Sequence, residues 1–311
     1  MFNSLGKRVL LLFLLAAGAA FGDDLVWTSA GSNVWSIYYV SPYQAQDKSL
    51  GEQLNLFCLD YNHDIAPPNE WNANLNPLVA SGNASANLSK FQFGGSYPNV
   101  LPPGTTNANA FAFQSETYTN NASTVTADLT TSASFDRYLE AAWLFTQIEN
   151  AIAEAASQTP PISQAQLFSI EQIYQVAAWR IFADSGPSNQ SNNSHLGDLN
   201  MRIGQTAGRY TFNNLMGFWV RNDALANGYN DFQFAVDTVL GSAEIAVKNN
   251  NWLPTTSWDV VTADKDWVQA NNSGVPLQEF LTPTPAPEPA AAVLFGTVLV
   301  LIGVKTRRKR P

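Results

Sequence analysis

Cysteine is almost absent from this chain of 311 residues: Cys58 stands alone, so no intramolecular disulfide can form. Histidine is nearly as scarce, with only His63 and His195, which excludes a protein-only zinc cluster unless carboxylates join it. Basic residues are sparse between the ends: positions 23–304 carry 9 Lys and Arg against 25 Asp and Glu. An acidic surface of that kind repels phosphate backbones, so a nucleic-acid partner is not expected. Phosphate-loop and dinucleotide glycine fingerprints are missing, and no cofactor is expected. Asp60-x-Asn62-x-Asp64 opens like a calcium loop. However, Ile65 stands where the turn glycine is needed and Trp71 where the bidentate glutamate is needed, so no metal is expected there.

What is present begins with two unusual ends. Lys7 and Arg8 precede the apolar run Val9–Leu15 and then small residues, with Ala20 and Gly22 placed for cleavage after Gly22. That order reads as a secretory leader over 1–22, handled by signal peptidase. Near the other end, prolines 283, 285, 287 and 289 make a stiff linker over 281–289. An almost wholly apolar stretch, 290–304, follows, and then the basic tail 305–311 with Lys305, Arg307, Arg308, Lys309 and Arg310. Apolar run and basic stop together predict a transmembrane helix over 290–304. The three-part order of Pro287-Glu288-Pro289, apolar helix and arginines resembles the bacterial PEP-CTERM sorting signal. That resemblance implies an exosortase as processing partner and an exported, cell-surface location, membrane-anchored at least before sorting.

Between the ends lie about 260 residues, enough for one large domain or two small ones. Short apolar or aromatic stretches at Leu25–Trp27, Val34–Val40, Leu54–Leu59, Phe91–Phe93 and Ala110–Phe113 alternate with turn residues and read as strands. Asn69 to Pro103 is dominated by Asn, Ser, Gly and Pro and reads mostly as loop. From Phe135 the period becomes helical. Leu139, Ala142, Trp143, Ile148, Ala151 and Ala155 form one stripe, ended by Pro160-Pro161. Ser163 with Gln166 three residues on announces a second helix, through Ile170, Ile173, Ala177 and Ile181. A third is expected over Asp231–Lys248, and Asn251–Val268 returns to strand. The expected fold is α+β: a β-sandwich or barrel portion (about 25–125 and 251–270) and a helical portion of about three helices (about 135–249), together one domain over 23–280.

Cys58 has three readings: an inert buried thiol, half of an intermolecular disulfide, or a sulfur used in chemistry. Strand alternation puts it on one face with Leu56 and Asp60. Phe57-Cys58-Leu59-Asp60 resembles the cysteine motif of bacterial thioester domains, and Gln175-Val176-Ala177-Ala178-Trp179 resembles the family's Gln-x-Ala-x-Trp element. The resemblance implies an internal thioester between Cys58 and Gln175, with Asp60 beside the cysteine and Ala177 and Trp179 at packing positions. Phe57, Trp143 and Trp179 would shield it from water, and His63 or Asp64 would assist proton transfer. Tyr174 stands where the family commonly has Thr before the glutamine; Gln147, after Thr146, is a rival without the Ala and Trp that follow.

The implied function is covalent attachment to an amine of a surface protein or matrix component, a single-use reaction and not enzymatic turnover. A thioester stores an activated acyl group, whereas a glutamine amide is a poor electrophile. Two other functions compete. One is a non-covalent structural or polysaccharide-binding envelope protein with Cys58 inert. The other is a cysteine hydrolase, which needs an imidazole such as that of His195 beside the sulfur.

Overall fold

The structure, a computed structural model, describes residues 23–31, 33–35, 38–61, 70–78, 88, 90–93, 113–120, 123–183, 193–222, 231–272 and 277–284. Six strands close into a barrel. In chain order they are β1 (Asp23–Ser29), β4 (Tyr43–Asp47), β5 (Glu52–Cys58), β6 (Glu70–Pro77), β11 (Trp258–Ala263) and β12 (Phe280–Pro283); around the barrel they run β1-β4-β5-β12-β11-β6. Every pairing is antiparallel. Three two-stranded ribbons stand outside it: β2 (Asn33–Val34) with β3 (Tyr38–Tyr39), β7 (Ser115–Asn120) with β8 (Ser123–Asp128), and β9 (Tyr210–Asn213) with β10 (Phe218–Arg221).

Local chemistry explains the hairpin that delivers Cys58. Asp47 ends β4, and its Oδ1 accepts the amides of Ser49 and Leu50 at 2.7 and 3.1 Å. Gly51 takes φ +74, a conformation that L side chains resist, and its amide returns to the Asp47 carbonyl at 2.8 Å. Asp47 then pairs with Glu52, and the register runs on to Tyr43 opposite Leu56. Leu54, Leu56 and Cys58 lie on one face by alternation and are buried.

The helical portion comes between the barrel's fourth and fifth strands in the chain. It holds α1 (Ser134–Ser157), α2 (Gln164–Phe182), α3 (His195–Gln205) and α4 (Asp231–Glu244), the last continued by a π-turn over Ile245–Asn249. A fifth helix, α5 (Lys265–Asn271), follows β11. Ser163 caps α2 as its spacing predicts: its Oγ accepts the Gln166 amide at 3.3 Å, and Gln166 Oε1 accepts the Ser163 amide at 3.0 Å. Phe57 joins the two portions, stacked on Phe145 of α1 at 5.0 Å and edge-on to Trp258 of β11 at 5.6 Å. Helix α4 packs on β8 so closely that a Cβ at Gly241 would lie 2.9 Å from the Thr126 carbonyl oxygen. The architecture is α+β, with a barrel and a helical part.

Several local expectations change. Within the stretch read as loop, Glu70–Pro77 is a barrel strand, its polar residues alternating with buried Trp71 and Ala73. Tyr43–Asp47 is a strand that composition concealed, since three of its five residues are polar. Residues 91–93 form a turn and not a strand. His195 opens a helix capped by Ser194, whose Oγ accepts the Gly197 amide at 3.1 Å.

The membrane reading is corrected. Among the described residues no helix is long and apolar enough to cross a membrane. The two longest helices carry charges, among them Arg137 and Glu140 on α1 and Glu171 and Arg180 on α2. The leader 1–22, the sorting element Pro287, Glu288, Pro289, the expected span 290–304 and the basic tail lie outside the described residues. Nothing among the described residues supports the transmembrane anchor, PEP-CTERM sorting, the exosortase and signal-peptidase partners or the membrane-anchored surface location, and these readings are withdrawn.

Candidate functional site

Cys58 ends β5, with no exposed surface. Its amide donates to Ser41 Oγ at 2.8 Å, and its register partner in β12 is Phe280. Counting back two residues from Phe280 brings Gln278 to the sulfur's side of the sheet. Its side-chain amide nitrogen lies against Cys58 Sγ and also donates to the Asp60 carbonyl oxygen at 2.6 Å. From the helical side, Trp179 Nε1–H donates to the same sulfur at 3.1 Å. The thiol in turn donates to the Asp60 carbonyl at 3.4 Å. Tyr43, whose hydroxyl donates to the Tyr39 carbonyl at 2.6 Å, also lies within hydrogen-bonding reach of the sulfur.

Burial pushes the Cys58 thiol far above its usual range, partly offset by the Trp179 N–H and raised further by the Asp60 charge. A resting thiolate is therefore disfavoured. Any chemistry at the sulfur starts from the thiol, with its proton directed at the Asp60 carbonyl.

Gln175 is fully buried on α2, yet its amide faces the backbone of Cys58 and not the sulfur. Its Nε2 donates to the Cys58 carbonyl at 2.7 Å, and its Oε1 accepts the Ser41 amide at 3.1 Å. With the Ser41 hydroxyl on the Cys58 amide, both main-chain polar groups of the cysteine are held by side chains. Gln175 and Trp179 are four residues apart and so share one face of α2, one gripping the backbone and the other the sulfur.

The other sequence-derived residues divide. Ala177 is fully buried on α2. Phe57 points to the opposite face of β5, into the contact with Phe145 and Trp258, and supports the core instead of covering the sulfur. Trp143 is partly exposed on α1 and packs at the edge of the core. Asp60 contributes its main-chain carbonyl to the site, and its carboxylate accepts Gln92 Nε2 at 3.2 Å. His63 and Asp64 lie outside the described residues. Among the described residues no imidazole hydrogen-bonds the sulfur, and no group of three His, Cys, Asp or Glu side chains could hold a metal ion.

An aromatic layer covers the Trp179 side of the pocket. Tyr61 and Tyr38 lie 5.5 and 6.0 Å from Trp179 and 5.0 Å from each other. Behind them Arg202 sits 5.1 Å over the Tyr38 ring and donates to Asp198 Oδ2 at 2.9 Å, and the Tyr61 hydroxyl donates to the same carboxylate at 2.6 Å.

Gln278 escaped the sequence reading because it sits beyond the last helix among the described residues, 220 positions from the cysteine. The apolar run Phe280-Leu281 after it, marking a short strand, was the available signal.

No protein-family model, no curated protein and no solved structure matches this chain. Membership in the thioester-domain family, which the two motifs suggested, and the sorting signal, which the tail suggested, find no support in these comparisons and are withdrawn. The buried cysteine, its two glutamines and Trp179 stand on their geometry alone.

Proposed function

We propose that Cys58 and Gln278 form an internal thioester that acylates an amine of a partner molecule. The observation that carries this reading is the side-chain amide of Gln278 held against Cys58 Sγ, its nitrogen anchored on the Asp60 carbonyl. Placing the reacting groups in contact replaces an improbable bimolecular encounter with an intramolecular one.

Formation is an acyl transfer. Cys58 Sγ adds to the side-chain carbonyl carbon of Gln278, the carbon–nitrogen bond breaks, and ammonia leaves with the thiol proton. In the second step an amine attacks the same carbon and the carbon–sulfur bond breaks. A new amide then joins Gln278 to the partner, and a proton returns to the sulfur. The Trp179 N–H, aimed at the sulfur, stabilises the negative charge that develops there as it leaves. Each molecule carries one activated acyl group and so captures one amine. The buried pocket and the aromatic layer keep water, the competing nucleophile, from the acyl group.

Intact mass of the full chain, before and after methylamine, tests this. A mass one ammonia below the sequence, with Cys58 resistant to alkylation in denaturant until one methylamine has added, is the expected result. A full sequence mass with freely alkylated Cys58 in freshly made protein would leave a structural thiol and a non-covalent function.

A further inference from the structure

Resting on that thioester reading, we propose that Glu279 is a positioning residue for it, holding Gln278 on the sulfur through a buried network with Tyr138, Gln92 and Asp60. The ladder between β5 and β12 consists of two pairs, Leu281 with Phe57 and Phe280 with Cys58, and it stops there. Gln278 lies beyond its end. The next main-chain bond on that side, from the Leu59 amide to the Glu279 carbonyl at 3.0 Å, belongs to Glu279 itself.

The Glu279 side chain has no exposed surface, and both carboxylate oxygens are engaged. Oε2 accepts the Tyr138 hydroxyl at 2.5 Å, and Oε1 accepts the Gln92 amide at 2.7 Å. The Tyr138 oxygen also accepts the Phe93 amide at 3.1 Å, so α1, residues 92–93 and the start of β12 meet on one carboxylate. Gln92 then reaches with Nε2 to Asp60 Oδ2 at 3.2 Å. Asp60 is the residue whose carbonyl anchors the Gln278 amide nitrogen. Glu279, next to the glutamine, and Asp60, whose carbonyl orients it, are thus both tied to Gln92.

A carboxylate is an expensive way to fill a buried position. An apolar side chain of similar volume would serve packing at least as well, because a buried acid must first be stripped of water. What the acid adds is direction: two strong, charge-assisted acceptors that fix the backbone one residue from Gln278. A misplacement of about 1 Å in such a pair costs about 100-fold in rate.

The test compares wild-type protein with Glu279→Ala, Glu279→Gln and Tyr138→Phe, all as full chains refolded from denaturant. Thioester formation is followed by intact mass, and circular dichroism checks the fold. Glu279→Ala is expected to slow formation about 100-fold, and Glu279→Gln, which keeps one acceptor, to recover at least about tenfold of that loss. Opening of whatever thioester has formed, read as methylamine uptake, is expected to keep the wild-type rate, because positioning acts before the bond exists. A folded Glu279→Ala protein that forms thioester at the wild-type rate overturns the proposal. So does a variant in which formation and opening fall together, the mark of a general disturbance. If Glu279→Ala does not fold, Tyr138→Phe decides: it removes one oxygen, and unslowed formation there also overturns the proposal. Wild-type protein with no ammonia deficit in the same run sinks the thioester itself, and this inference with it.

Discussion

The side-chain nitrogen of Gln278 lies against the sulfur of Cys58, while Gln175 spends its own amide on the backbone carbonyl of the same cysteine, 2.7 Å away. Two glutamines thus serve one cysteine in different capacities, and mutation separates them. Cys58→Ala and Gln278→Ala are each expected to give the full sequence mass and no methylamine uptake. Gln175→Ala is expected to keep the capacity for the bond at reduced yield. It is also expected to lose about 1–3 kcal/mol of stability, since it leaves the buried Cys58 carbonyl and Ser41 amide without that partner. The opposite pattern, with the deficit kept in Gln278→Ala and lost in Gln175→Ala, would assign the acyl group to Gln175.

Trp179→Phe keeps a ring and removes the N–H that points at the sulfur from 3.1 Å. A hydrogen bond to a charged group contributes about 1.5–3 kcal/mol, so methylamine opening is expected to slow by at least about tenfold. Stopped-flow or mass time courses on preformed thioester measure this. An unchanged rate would show that the indole serves packing alone.

Glu140 of α1 is buried, and burial raises its carboxyl to about 7, a shift only partly countered by the Ser132 hydroxyl, Lys248 and Arg137. The folded protein therefore holds this proton more tightly than the unfolded chain, whose value is near 4.5. The resulting stabilisation is fully present below about pH 4.5 and is lost as pH rises through 7, a change of about 3 kcal/mol for this group taken alone. Glu140→Gln is expected to flatten that dependence and raise the urea midpoint at pH 8. Equal midpoints for variant and wild type at pH 8 would refute the account.

Arg180 follows Trp179 directly and is buried between Asp237 and Glu116, bonded to both. Arg180→Ala leaves the Asp237 carboxylate buried without its cation, and a loss of about 3–5 kcal/mol is expected from denaturant unfolding. A loss below about 1 kcal/mol would mean that water reaches Asp237 in the native state.

The helices were the legible part of the sequence. The stripe from Leu139 to Ala155 and the Ser163–Gln166 box are local signals, complete within a few turns, and α1 and α2 stand where they point. Strands β4 and β6 were hidden because closure of the barrel, and not their own composition, makes them strands. Glu70–Pro77 carries three asparagines and pairs with β1 and β11 from distant parts of the chain. The site shows the same division. Cys58 was visible as the lone cysteine, and Trp179 through the resemblance of its motif to a known element. Gln278 was not, because only the β5–β12 register brings it to the sulfur. Glu279 was hidden further, as a charged residue beside a strand reads as surface until its partners are seen.

The thin seam between β5 and β12 has a mechanical consequence. Five pairs join β4 to β5, but two join β5 to β12, and with its four pairs to β11 strand β12 is the most weakly laddered of the barrel. A Cys58–Gln278 bond is a rivet across that seam. It closes a ring of about 220 residues, and on chain-entropy grounds it stabilises the barrel by about 5 kcal/mol. Under the proposed chemistry, reaction with an amine would cut the rivet at the moment of capture. The loaded molecule would then hold its cargo beside a strand whose grip on the barrel has just weakened, so capture would be written into the protein as a change in how readily β12 comes loose.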